Sequence, residues 1–163
     1  MLLSFSIEDF RLLVLGVGLW ITVFYWAMLR QSFTRRRLKK AFISKLKKEN
    51  GGQPVDLRKF GDVGSMSFMR NEPSIVNDPE FIRADRTFAN LVEQGVPFFV
   101  SLALFSLLYS PVAAGYLAII YAVSRSLYYP FYNNSLLLIT TVTAPNYLII
   151  LGMFITVLFK VVF

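Results

Sequence analysis

At 163 residues the chain is 55% hydrophobic and 16% aromatic, with only 17% of its residues charged, so it is too apolar for an ordinary soluble domain. It has no cysteine and no histidine, which excludes disulfides, thiol nucleophiles, and the usual metal ligand and general base. A net charge of +7 would suit nucleic-acid binding, but the excess lies beside an apolar run, where it reads as a membrane-topology signal.

Residues Leu12 to Leu29 carry no charge and, with their flanks, are long enough to cross a bilayer. The run lies between Glu8, Asp9 and Arg11 on one side and Arg30 on the other. As a cleaved signal peptide it would be too long, its leading segment is acidic, and no small-residue cleavage site follows. It is therefore expected to be a retained first helix over about 7–30.

From Arg30 to Lys48 there are nine lysines and arginines and no acid, opening a basic polar connecting loop over about 31–79. The positive-inside rule puts this loop on the cytoplasmic side, or on the matrix or stromal side of an organelle, within reach of anionic lipid head groups. Turn formers Gly51, Gly52, Pro54, Gly61, Gly64, Pro73 and Pro79 punctuate its later part. So long a polar segment promises little core of its own, and its order then implies packing against something else.

A second helix is expected over about 80–109, with Val96 to Tyr109 as its apolar part. Ser110 and Pro111 form a turn, and a third helix follows over about 112–132 with Arg125 inside it. Asn133 to Ser135 mark a break before a fourth helix over about 136–163, regular from near Pro145, with Lys160 at the far interface. The fold class is therefore all-α: an integral membrane four-helix bundle of one domain over 1–163, both termini opposite the basic loop.

Charges inside spans are costly and usually face a bundle interior or a polar cavity. At about 100° per residue, Arg83, Arg86, Asn90 and Glu93 fall within about 80° of one another, as one stripe. On the third helix Arg125, Tyr128 and Tyr132 share a face, with Tyr121 one turn earlier. The stripes have two readings, a structural one in which Arg and Glu pair across helices, and a functional one. In the second, the arginines grip the carboxylates of a zwitterionic ligand while Glu93 holds its ammonium group. Periodicity does not separate them.

The segment Phe81 to Pro97 resembles the MAPEG superfamily, membrane-associated proteins of eicosanoid and glutathione metabolism. The family's Arg-x-x-x-Asn-x-x-Glu pattern followed by Pro is present as Arg86, Asn90, Glu93 and Pro97, with Arg83 one turn before it. Its Arg-x-x-Tyr-x-x-x-Tyr pattern is present as Arg125, Tyr128 and Tyr132, and Arg30 with Phe33 resembles the end of its first helix. The joint order and spacing cover nearly the whole chain and look like the microsomal glutathione transferases, prostaglandin E synthase and leukotriene C synthase.

The resemblance implies a left-handed four-helix bundle that trimerises and binds glutathione between subunits. It carries Arg86, Asn90, Glu93, Tyr128 and Tyr132 into that site, with Arg83, Arg125 and Arg30 nearby. A cationic pocket would lower the pKa of the glutathione thiol for attack on a lipophilic electrophile or peroxide. No metal is implied and no catalytic residue is assigned.

Several positions depart from that pattern. Phe88 stands where the family's enzymes carry His or Gln, Gln94 replaces a Tyr or Asn that helps hold the peptide, Pro130 stands between the two tyrosines, and the loop over 34–80 is long for the eicosanoid members. The arginine that follows the second tyrosine in the enzymes has no counterpart, since Asn133 to Ala144 is uncharged. The expected function is a divergent, non-catalytic member serving as a structural or scaffold subunit of a membrane assembly. The alternative is a glutathione-dependent transferase or peroxidase acting on lipophilic electrophiles. Expected partners are membrane lipids, further copies of the chain as a homotrimer, or other membrane-complex subunits, with no nucleic acid. The expected location is the endoplasmic reticulum or an organelle membrane, mitochondrial or plastid.

Overall fold

The computed structural model describes residues 5–57, 63, 65–132 and 136–162. The break expected at Asn133 to Ser135 and the turn residues Gly61 and Gly64 lie outside the described residues. A short 3-10 turn, Ile7–Phe10, leads into α1 (Arg11–Glu49), followed by the short helices α2 (Met66–Asn71) and α3 (Pro73–Val76). Three long helices complete the chain: α4 (Pro79–Leu108), α5 (Pro111–Phe131) and α6 (Leu136–Val162). Among the described residues there is no strand, so the all-α reading holds.

The first helix does not stop near residue 30. It continues through the basic segment to Glu49, and the connection to α4 begins only there. Lysine, arginine, leucine and alanine favour the helix, and Thr34, Leu38 and Phe42 are buried at intervals of four along one face. Gly51 and Gly52 end it with φ of 62° and 85°. The Gly52 N–H donates to the Lys47 carbonyl at 2.9 Å and the Gly51 N–H to that of Lys48 at 3.2 Å. This left-handed cap would cost any other side chain about 1 kcal/mol or more.

By length and composition, helices at Ile7–Glu49, Pro79–Leu108 and Ile139–Val162 can cross a membrane. The 21-residue α5 is long enough but less apolar, because it carries Arg125 and four tyrosines. Much of that polarity is turned inward: Tyr121, Arg125, Tyr128 and Tyr129 are all buried, while Val112, Ile120, Val123 and Leu127 on the other face are exposed. The polar face of α5 thus packs within the protein and its apolar face is left outward.

The described residues fall into two compact units, one from residues 1–26 with 89–163 and one from 27–88. In the first, Trp20, Phe98, Leu102, Phe105, Tyr121, Met153 and Val157 form a core with small residues of α5. The Phe98 and Tyr121 rings stack with centroids 3.8 Å apart. Backbones of α1 and α5 nearly touch: a Cβ on Gly115 would lie 2.5 Å from the Leu12 Cβ, and one on Gly16 2.6 Å from that of Ala118. Between α5 and α6 the Ser124 hydroxyl donates to the Val142 carbonyl at 2.6 Å, and Asn146 Nδ2 donates to Ser124 Oγ at 3.1 Å.

The second unit has a core of its own, contrary to the expectation for a polar connection. Leu38, Phe42, Val63, Met69, Ile75 and Phe81 are buried together, with Leu46, Leu57 and Phe68 against them. Each short helix supplies only one or two of these residues, too few to show a period. Arg37 pairs with Asp78 at 3.5 Å and with Glu80. Arg70 grips both oxygens of Asp85 at 3.0 and 3.1 Å, and Gln31 Nε2 donates to the same carboxylate at 3.0 Å.

Candidate functional site

The polar stripe of α4 is set by the start of that helix. Asp78 Oδ1 accepts from the backbone N–H of Glu80 and Phe81 at 3.0 and 2.9 Å, and Pro79 occupies the first helical position, where no N–H is needed. For α5, Ser110 Oγ accepts from the Ala113 N–H at 3.2 Å and Pro111 follows it. These caps fix the phase of Asn90 on one helix and Arg125 on the next.

Arg125 is 1% exposed. Its Nη1 donates to Asn90 Oδ1 at 3.0 Å, and its guanidinium carbon stands 5.1 Å from the centroid of the Tyr121 ring. The cation therefore rests against an aromatic face that Phe98 supports from the other side. Its Nε and Nη2 and the Tyr121 hydroxyl are buried without hydrogen-bond partners among the described residues. One turn further along α5, Tyr128 is buried, with its ring 5.7 Å from that of Tyr132. A buried guanidinium whose hydrogen-bond acceptor among the described residues is a neutral amide favours an anion.

Asn90 and Arg125 are thus in direct contact, and Tyr128 and Tyr132 are in ring contact. Glu93, in the same unit, is exposed, without an ion pair or hydrogen bond among the described residues. Arg30, Arg83 and Arg86 belong to the unit over 27–88, where Arg83 is half-buried and the other two are exposed. Pro97 in α4 has no N–H for the Glu93 carbonyl, so that acceptor is released beside the stripe.

Two polar groupings had no counterpart in the sequence reading, and Gln94 figured there only as a departure from the family pattern. Asp85 joins Gln31 and Arg70. Ser124 and Asn146 join α5 to α6, and Gln94 is buried at 6% exposure with its Oε1 unpartnered among the described residues. The signal for Asn146 was its place directly after Pro145, an amide inside an apolar span. Pro97, Val100, Ser101, Tyr147, Ile150, Leu151 and Phe154 line an open apolar cleft of about 480 Å³. No group of three or more carboxylates suited to a metal occurs among the described residues.

The helices and the polar contacts buried among them define an all-α integral membrane protein with an arginine-centred polar cluster. The MAPEG family profile matches residues 10–159, which takes in α1 through nearly all of α6, and the chain belongs to that family. Neither the curated proteins nor the solved structures give a match.

Proposed function

We propose that this chain is a ligand-binding, non-catalytic MAPEG subunit that holds a glutathione-like anionic peptide at Arg125. The observation that carries the reading is the buried Arg125 guanidinium, satisfied on Nη1 by Asn90 and, among the described residues, without a hydrogen-bond partner on Nε and Nη2. A planar fork of this kind suits a carboxylate bidentately. Tyr128 and Tyr132 would flank the ligand, and exposed Glu93 would offer an acceptor to a ligand shared with a neighbouring subunit of a trimer. Family membership supports a glutathione ligand in general terms.

The non-catalytic part rests on charge. Thiol activation needs a cation close to the sulfur, and the segment Asn133 to Ala144, which follows the second tyrosine, contains none. A transferase or peroxidase is the second reading, favoured by the Tyr128–Tyr132 pair, whose hydroxyls offer donors to a thiolate. Detergent-purified protein given glutathione and a generic aromatic electrophile separates the two. Retention of glutathione in equilibrium dialysis, with conjugation no faster than without protein, is the expected result. Saturable turnover would replace this reading with the enzymatic one.

A further inference from the structure

The chain leaves α1 through Asn50, Gly51 and Gly52. Of its seven asparagines, only Asn50 is followed by glycine. The pairing has a chemical meaning. The backbone nitrogen that follows an asparagine can attack the side-chain amide carbon, and any side chain on the following residue hinders that approach. Asn50 is exposed, and a Cβ on Gly51 would meet nothing within 4 Å, so the nitrogen is open to attack and to solvent.

Both reacting groups are loosely held. The Gly51 N–H donates to the Lys48 carbonyl at 3.2 Å and Asn50 Nδ2 to the Pro54 carbonyl at 3.4 Å, at and beyond the long end for such bonds. Closing the ring also requires the Asn50 backbone to leave the helical path on which its N–H reaches the Leu46 carbonyl. Helix ends fray, so this costs little at Asn50. Asn90 and Asn146 lie inside α4 and α6, where they bond Arg125 at 3.0 Å and Ser124 at 3.1 Å. Lys47 stands three residues before Asn50 on the same side of the helix end, and its cation favours the negative charge that develops at the amide.

We propose that Asn50–Gly51 is a site of spontaneous covalent modification, at which the asparagine becomes aspartate and isoaspartate. The Gly51 nitrogen gives its proton to solvent and bonds to Asn50 Cγ. The Cγ–Nδ2 bond breaks, and Nδ2 takes a proton from solvent and leaves as ammonia. Water then opens the cyclic imide. Cleavage of the new bond at Cγ gives aspartate, and cleavage at the main-chain carbonyl carbon gives isoaspartate. One water is consumed, one ammonia is released, and nothing is oxidised or reduced.

The products act on the end of α1. Isoaspartate lengthens the main chain by a methylene and displaces Gly52, whose N–H caps the helix at the Lys47 carbonyl at 2.9 Å. Either product puts a negative charge at a helix C-terminus, where it is unfavourable. Leu46, one turn earlier, packs against the core around Met69. The site is separate from the Arg125 cluster and does not depend on the reading of that cluster.

The full chain in detergent is kept at body temperature in mildly alkaline buffer and followed by peptide-mapping mass spectrometry. A mass gain of about 1 Da at Asn50 is expected, about tenfold faster than at Asn71, Asn77, Asn90 or Asn146, a comparison that needs no variant to fold. No gain at Asn50, or a gain no faster than at those four, would overturn the proposal. Gly51→Ala should slow the reaction about tenfold while helical circular dichroism is kept. An unchanged rate in that variant would overturn the attack by the Gly51 nitrogen.

Discussion

The two units of this chain solve the same packing problem with opposite materials. The unit of residues 1–26 and 89–163 relies on close backbone approach at Gly16 and Gly115, ring stacking of Phe98 on Tyr121, and neutral polar pairs such as Ser124 with Asn146. The unit over 27–88 relies on an apolar cluster around Met69 and on ion pairs at Arg37 and Arg70. The difference follows from the solvent. Lipid tails are as apolar as leucine, so helices in a bilayer gain little from burying hydrophobic surface and associate through close contact and hydrogen bonds. In water, burial drives association and exposed carboxylates and guanidinia remain solvated. The same helices, α1 and α4, switch from one set of materials to the other along their length.

Substitutions that exploit this contrast should differ in size. The largest effect is expected at Gly115, where a Cβ would meet Leu12 and Leu13 atoms at 2.5 to 2.6 Å. Gly115→Ala should destabilise the detergent-solubilised protein by about 3 kcal/mol, read as a lower thermal midpoint by circular dichroism. Gly152→Ala, on a helix face with nothing within 4 Å, should change that midpoint little or raise it slightly. Similar losses at both positions would remove close approach from the account.

Met69→Ala should come next, at about 2 to 4 kcal/mol, because the side chain is fully buried in a core of few members. Its signature should be local: faster hydrogen exchange over 65–81, with Phe98 to Phe105 still protected. Uniform loss of protection across both regions would mean that the units do not open separately. The smallest effect should follow Arg70→Ala, about 1 kcal/mol, since Arg70 is more than half exposed although Asp85 is largely covered. Raising salt to about 1 M should erase much of that difference, as screening then acts within about 3 Å. A salt-independent loss would assign the contact to packing of the arginine stem.

The contrast also explains what could be read in advance. The long helices were legible because apolar runs of their length have few alternatives, and the family motifs were legible because Arg86, Asn90, Glu93 and Arg125 keep a fixed order and spacing. The extension of α1 to Glu49 was hidden by its charge. A basic stretch after an apolar run reads as topology, although Leu38 and Phe42 carry a helical seam through it. The small core over 57–81 was hidden because Leu57, Val63, Met69, Ile75 and Phe81 are scattered among turns, and only the fold gathers them. In the polar cluster the pairing of Arg125 with Asn90 followed the two stripes, whereas the exposure of Glu93 and Arg86 is a property no stripe reveals.

Calorimetric titration of glutathione into detergent-purified wild type and Arg125→Lys tests the central claim most directly. Lysine keeps the charge but loses the planar fork that reaches Asn90 and carries the further donors Nε and Nη2. Saturable binding to the wild type, weakened about tenfold or more in a variant that keeps its helical content, is the predicted result. Equal affinity in the two proteins, or no binding to the wild type, would contradict the assignment of Arg125 as the anchor of an anionic ligand.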